Sequence, residues 1–112
     1  MPAYSRTDRI SEEIKRELSA VIRELKDPRL KVMVSVVGVR VTKDLKFAKA
    51  FVSVMGNEAE QKAALDALKS AAGFVRREIG SRIRLRIVPE FTFVLDNSIE
   101  YGAHINEVLK NL

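Results

Sequence analysis

Cysteine is absent from this chain of 112 residues, and histidine occurs once, at position 104. The first absence excludes disulfides, thiol nucleophiles and thiolate metal sites together, and fits a reducing interior. With a lone histidine, no cysteine and no Gly-rich nucleotide loop, neither a nucleophilic triad nor a common zinc site is supported, and His104 reads as an ordinary helix residue. Glu12 and Glu13 are adjacent on a helix and point apart, so they make no metal-binding pair. Long apolar runs are also missing. The densest, "VMVSVVGV" at 32–39, is too short to span a bilayer, and "MPAYSRTDRI" lacks the apolar centre of a signal peptide. A cytoplasmic, soluble, non-enzymatic protein without cofactor or metal is expected.

What is present is charge and periodicity. Lys and Arg number 20 against 15 Asp and Glu, a net charge of +5, which favours a polyanionic partner. The length suits one domain, 1–112, and apolar residues make up 46% of it, enough for a core. Ile10, Ile14, Leu18, Val21, Ile22 and Leu25 recur at helical spacing, predicting a helix over about 6–26 that ends before Pro28. "KVMVSVVGVRVT" predicts a strand over about 32–42, with Gly38 marking a bulge or a close backbone approach. After a turn at "KDLK", the stretch "FAKAFVSVM" alternates Ala48, Ala50, Val52 and Val54 on one face with Phe47, Lys49, Phe51 and Ser53 on the other.

Asn57 and Glu60 form a capping box that opens a helix with the stripe Ala64, Leu68, Ala71, Ala72, Val75 and Ile79, and Gly80 is expected to close it. "RLRIVPEFTFVL" reads as a third strand, with Pro89 at a break or an exposed edge. Asn97 or Ser98 would cap a last helix carrying Ile105, Val108, Leu109 and Leu112. The order is α-β-β-α-β-α, an α+β domain with helices on one face of a three-stranded sheet.

The positive charge is concentrated. Residues 76–86 hold Arg76, Arg77, Arg82, Arg84 and Arg86 against Glu78 alone, and residues 40–49 hold Arg40, Lys43, Lys46 and Lys49 against Asp44. Arginine's planar fork of donors matches two phosphate oxygens at once. Just before the first run stands Gly73, inside a helix, where it costs about 0.5–1 kcal/mol relative to alanine. Two readings account for it and are compatible. In one, Ala71, Ala72 and Gly73 form a small-residue step against a neighbouring backbone. In the other, the chain bends, with Ser70 capping a second helix that starts near Phe74 and turns its N-terminus, Arg76 and Arg77 toward phosphate.

"KDPRL", "VTKDLKFAKAFVSV", "SAAGFVRREIG" and "RLRIVPEFTFVLDNS", in that order, resemble the ribosome-binding factor A family from about Arg6 to Leu109. The resemblance implies a type II KH-like fold, in which an Ala-x-Gly kink, here Ala71 to Gly73, replaces the usual Gly-x-x-Gly loop. It further implies an assembly factor, read here as a monomer, that binds free or immature 30S subunits and 16S rRNA. Such a factor supports late maturation and 5′-end processing of that rRNA and is linked to cold adaptation. Family members often carry a longer charged C-terminal tail, whereas this sequence stops at Leu112. The RNA-binding residues expected are Ser70, Ala71, Gly73, Arg76, Arg77, Arg82, Arg84, Arg86, Lys43, Lys46 and Lys49, with Phe47 and Phe51 as candidate stacking residues. A module docking on ribosomal proteins through its first or last helix, without reading RNA, is the alternative.

Overall fold

The computed structural model describes residues 5–30 and 32–96. The expected last helix, its caps and His104 lie outside the described residues. Helix α1 (Arg6–Glu24) opens on a reciprocal capping box: Ser5 N–H donates to Asp8 Oδ2 at 3.0 Å, and Asp8 N–H donates to Ser5 Oγ at 3.1 Å. A short 3-10 turn, Pro28–Leu30, follows, and the chain then forms β1 (Val34–Val41) and β2 (Phe47–Val54) as an antiparallel hairpin. Within the hairpin turn Leu45 adopts φ 62, a left-handed conformation uncommon for a side-chain-bearing residue, and its side chain packs against the core.

The crossover consists of α2 (Glu58–Ser70) and α3 (Ala72–Arg82), and it returns the chain to β3 (Glu90–Leu95), which pairs parallel to β2. The sheet order is β1-β2-β3. The Asn57–Glu60 capping box is formed as expected, with Glu60 N–H donating to Asn57 Oδ1 at 2.8 Å.

The alternation in β2 sets the layering. Ala48, Ala50, Val52 and Val54 are buried on one face, and α1 packs over β1 while α2 and α3 pack over β3 on that same side. Ile14, Leu18 and Val21 of α1 meet Leu68 of α2, Val75 and Ile79 of α3, and Phe91 and Phe93 of β3 in one core. The β1–β2 register shifts between Val36 and Gly38, which is the bulge that Gly38 signalled. Because strand side chains alternate, this extra residue keeps Val34, Val36, Val39 and Val41 on the helix side of β1.

Two expected boundaries are corrected. Gly80 does not end the helix; α3 continues to Arg82 and is closed by Ile83, whose N–H donates to Ile79 O. Gly80 instead admits a close neighbour, since a Cβ there would stand 3.1 Å from Val88 Cγ2. The third strand is shorter than its alternation suggests, for Leu85 and Ile87 precede it in an irregular segment and Pro89 is fully buried at the break rather than exposed on an edge. Proline has no N–H to give a ladder, so pairing begins one residue later, where Glu90 N–H donates to Lys46 O at 2.9 Å.

Leu68→Ala should lower the unfolding free energy by about 2–5 kcal/mol in urea titration, because it empties a fully enclosed site. Three carboxylates, those of Asp8, Asp27 and Asp44, have pKa values below the ordinary one. Asp8 is lowered by the Ser5 backbone and hydroxyl, Asp27 by the Arg29 guanidinium and N–H, and Asp44 by the Thr42 hydroxyl and the Lys46 N–H. A depressed folded-state value stabilises above the unfolded value of about 3.9 and loses that contribution as pH falls further. The triple Asp→Asn variant at positions 8, 27 and 44 should therefore show a shallower loss of stability below about pH 4.

Candidate nucleic-acid interface

The crossover helix is broken where the sequence pattern suggested. Ala71 leaves helical geometry at φ −88, ψ 0, its N–H is shared between Ala67 O and Leu68 O, and Val75 N–H donates to Ala71 O at 2.8 Å to begin α3. The expected role of Ser70 is corrected. Its hydroxyl points backward and donates to Asp66 O at 3.0 Å, so it does not cap the second helix, which starts at Ala72 rather than near Phe74. Such back-bonding loosens a helix at the turn it touches, and with Gly73 close behind it gives a local cause for the break. The start of α3 also differs from the other two helices. α1 and α2 have side-chain caps and acidic first turns, whereas α3 has neither, so no acidic or capping side chain answers the positive end of its dipole.

The packing reading of Gly73 does not hold within the described chain. The residue is exposed, its φ is not positive, and nothing lies within 4 Å of a Cβ built there. Neither backbone conformation nor an internal neighbour requires glycine at this position. Gly73, Arg76, Arg77 and Gly80 fall at i, i+3, i+4 and i+7 on α3 and are all exposed, so they form a single stripe along the solvent side of the helix.

The next segment completes this surface. Arg76 Nε and Nη2 both donate to Val88 O, at 3.2 and 3.1 Å, and fasten the irregular 83–89 segment to α3. A depression of about 520 Å³ results, lined by Arg76, Arg77, Gly80, Arg86, Ile87 and Val88. Arg84 is exposed on the same segment. The Glu90 to Lys46 hydrogen bond sets the β1–β2 turn, with Lys43 and Lys46, beside the end of this segment.

Two expected residues are placed elsewhere. Arg82 turns toward α1, where its Nη2 lies 2.6 Å from Glu24 Oε2 and 3.3 Å from Glu78 Oε1, and its Nη1 lies 3.8 Å from Glu17 Oε2. The Glu24 carboxylate raises the guanidinium pKa further, and the charge of Arg82 is compensated within the chain. Lys49 lies on the outward face of β2, across the sheet from the helices. Sequence reasoning missed Phe74, 43% exposed beside the bare glycine. Its signal was available, since Phe74 is the large apolar residue of α3 that falls off the buried stripe. Among the described residues no polar or charged side chain is buried, no group of three His, Asp or Glu could hold a metal ion, and no helix is long and apolar enough to cross a membrane.

The chain is thus an α+β domain of type II KH-like element order, with a kinked crossover helix and an arginine-lined stripe beyond the kink. The profile of one family, ribosome-binding factor A, matches residues 6–109, and the chain belongs to that family. It is 55% identical over 108 residues to the ribosome-binding factor A of Caldanaerobacter subterraneus, covering 96% of this chain and 88% of that one. The crystal structure of ribosome-binding factor A from Thermus thermophilus superposes with a TM-score of 0.73 at 28% identity, covering 81% of this chain and 97% of the other. A homology model of the Thermus thermophilus factor fitted into a cryo-EM map of a 30S-RbfA complex matches with a TM-score of 0.64 at 31% identity, over 75% and 88% of the two chains.

Gly73→Ala should leave the fold intact and raise its unfolding free energy by about 0.5–1 kcal/mol, as an unhindered helical Gly→Ala exchange does. Urea titration of the isolated chain checks this; a loss of stability would show that the glycine serves packing.

Proposed function

We propose that this chain is a non-enzymatic, cytoplasmic ribosome assembly factor, acting as a monomeric single domain. It binds free or immature 30S subunits through 16S rRNA and supports late maturation and 5′-end processing of that RNA. The observation that carries the reading is the exposed stripe Gly73, Arg76, Arg77 and Gly80, with Arg86 across the adjoining depression. The bare Cα of Gly73 lets a phosphate backbone approach the helix closely, and the flanking guanidiniums meet its oxygens as charge-assisted pairs. The uncapped α3 N-terminus adds a favourable field for the same anion. Arg84, Lys43 and Lys46 extend the positive surface, whereas Arg82 holds α3 to α1. The 30S complex in which the Thermus thermophilus homology model was fitted supports the choice of partner. Contacts of this kind recognise RNA by backbone shape rather than by base sequence.

A second reading, docking on a ribosomal protein, is favoured by a groove of about 560 Å³ between α1 and β1, lined by Ile22, Leu25, Leu30 and Val34 among others. Met33 and Met55 are exposed nearby. Salt separates the two readings. The Arg77→Glu, Arg84→Glu, Arg86→Glu variant should fold normally and lose at least tenfold in co-sedimentation with small subunits, and wild-type affinity should fall steeply as salt rises. Association that survives both the substitutions and high salt would instead assign binding to the apolar groove.

A further inference from the structure

We propose that the face of the sheet that no described helix covers is a second RNA surface, a stacking platform for single-stranded RNA built from Phe47, Phe51, Lys49 and Arg40. This rests on the RNA-binding reading above and adds to it a separate site and substrate class. The buried face of β2 takes the packing of the described helices, and its outward face presents Phe47, Lys49 and Phe51 in alternation, with Phe47 51% exposed and Phe51 half-buried. Phe47 and Phe51 are about 13 Å apart along the strand, with the ammonium of Lys49 between them.

The neighbouring strands complete the pattern. Arg40 stands opposite Lys49 in the β1–β2 register, and Gly38 stands opposite Phe51. Both placements follow from the bulge. Without it the alternation from Val34 and Val36 would carry Arg40 onto the core side, and a one-residue slip of this kind moves every later side chain to the other face. No described residue lies within 4 Å of a Cβ placed on Gly38, so no side chain from that position covers Phe51. A shallow depression of about 230 Å³, lined by Arg40, Thr42, Phe47, Lys49, Phe51 and Thr92, occupies this surface.

Charge complementarity selects the occupant. The nearest carboxylate in the turn, Asp44, is already engaged by the Thr42 hydroxyl at 2.7 Å and the Lys46 N–H at 3.0 Å, and Glu90 lies at the margin opposite Phe47. An apolar protein surface laid here would bury Arg40 and Lys49 without compensation. A nucleic acid supplies phosphates for the cations and planar faces for the rings together. Only an unpaired strand has bases free to stack on side chains, which excludes a duplex.

The test uses the full chain, a single-stranded RNA oligonucleotide containing 2-aminopurine, and a duplex of the same length. Phe47→Leu keeps the apolar bulk and removes the aromatic face; an unchanged urea midpoint confirms folding. Wild type should quench 2-aminopurine fluorescence. The variant should lose the quenching and bind the single strand about 5- to 100-fold more weakly, with its duplex affinity within twofold of wild type. Lys49→Gln should reduce the salt slope for the single strand by about 0.7.

Unchanged single-strand binding and quenching by Phe47→Leu would overturn the platform, whether or not Arg77→Glu still abolishes subunit binding. If wild type binds neither RNA, the platform falls together with the reading on which it rests. Loss of subunit co-sedimentation in Phe47→Leu without any single-strand effect would assign the face to a ribosomal protein. Protection of Lys49 from amine acetylation in the free chain would show the chain's own residues 97–112 covering it, and would also overturn the proposal.

Discussion

β2 and β3 run parallel, and two parallel strands cannot be joined by a tight turn. The chain must travel back along the sheet before β3 can start, and a helix is the economical way to do so with every backbone group satisfied. One unbroken helix over residues 58–82 would be about 37 Å long. The eight-residue β2 that it must cover is about 26 Å. Divided at Ala71, the same stretch becomes helices of 13 and 11 residues, about 20 and 17 Å, each short enough to lie over the sheet. The break is thus a consequence of the topology as much as a feature of the surface, and the uncapped start of α3 comes with it.

From that break the two faces of α3 take different roles. Val75 and Ile79 are fully buried, and Arg82 with Glu78 reaches to α1, so this side anchors the helix. The opposite side carries Gly73, Arg76, Arg77 and Gly80 and joins the 83–89 segment through the Arg76 to Val88 hydrogen bonds and the close seat of Val88 on Gly80. The two glycines therefore serve different ends. Gly80 admits a neighbour from the same chain, while no described residue lies within 4 Å of a Cβ built at Gly73.

Much of this was legible in the sequence where the signal is local. The α1 stripe, the Asn57–Glu60 box, the alternation in β2 and the bulge at Gly38 depend on residues within a turn or a strand step of one another, and each is formed as its pattern indicates. The errors occurred where one local pattern imitates another. Leu85 and Ile87 alternate with Arg84 and Arg86 just as a strand would, yet the partner they would need on β2 is missing, because Phe47 is already paired with Glu90. Ser70 looks like a cap, but its hydroxyl found the Asp66 carbonyl one turn back within its own helix.

Sequence alone determined the composition-level limits, the element order, the small-residue face of β2 and the position of the kink, since these follow from periodicity and near-neighbour chemistry. Tertiary structure alone decided how the five arginines of residues 76–86 divide. Arg82 is taken up by Glu24, 58 residues away, and by Glu17, while Arg76, Arg77 and Arg86 gather around one depression because Val88 is fastened to α3. The physical reason is that helical phase fixes the direction of a side chain but not what comes to meet it. That depends on which distant segment the packed core brings to the same place.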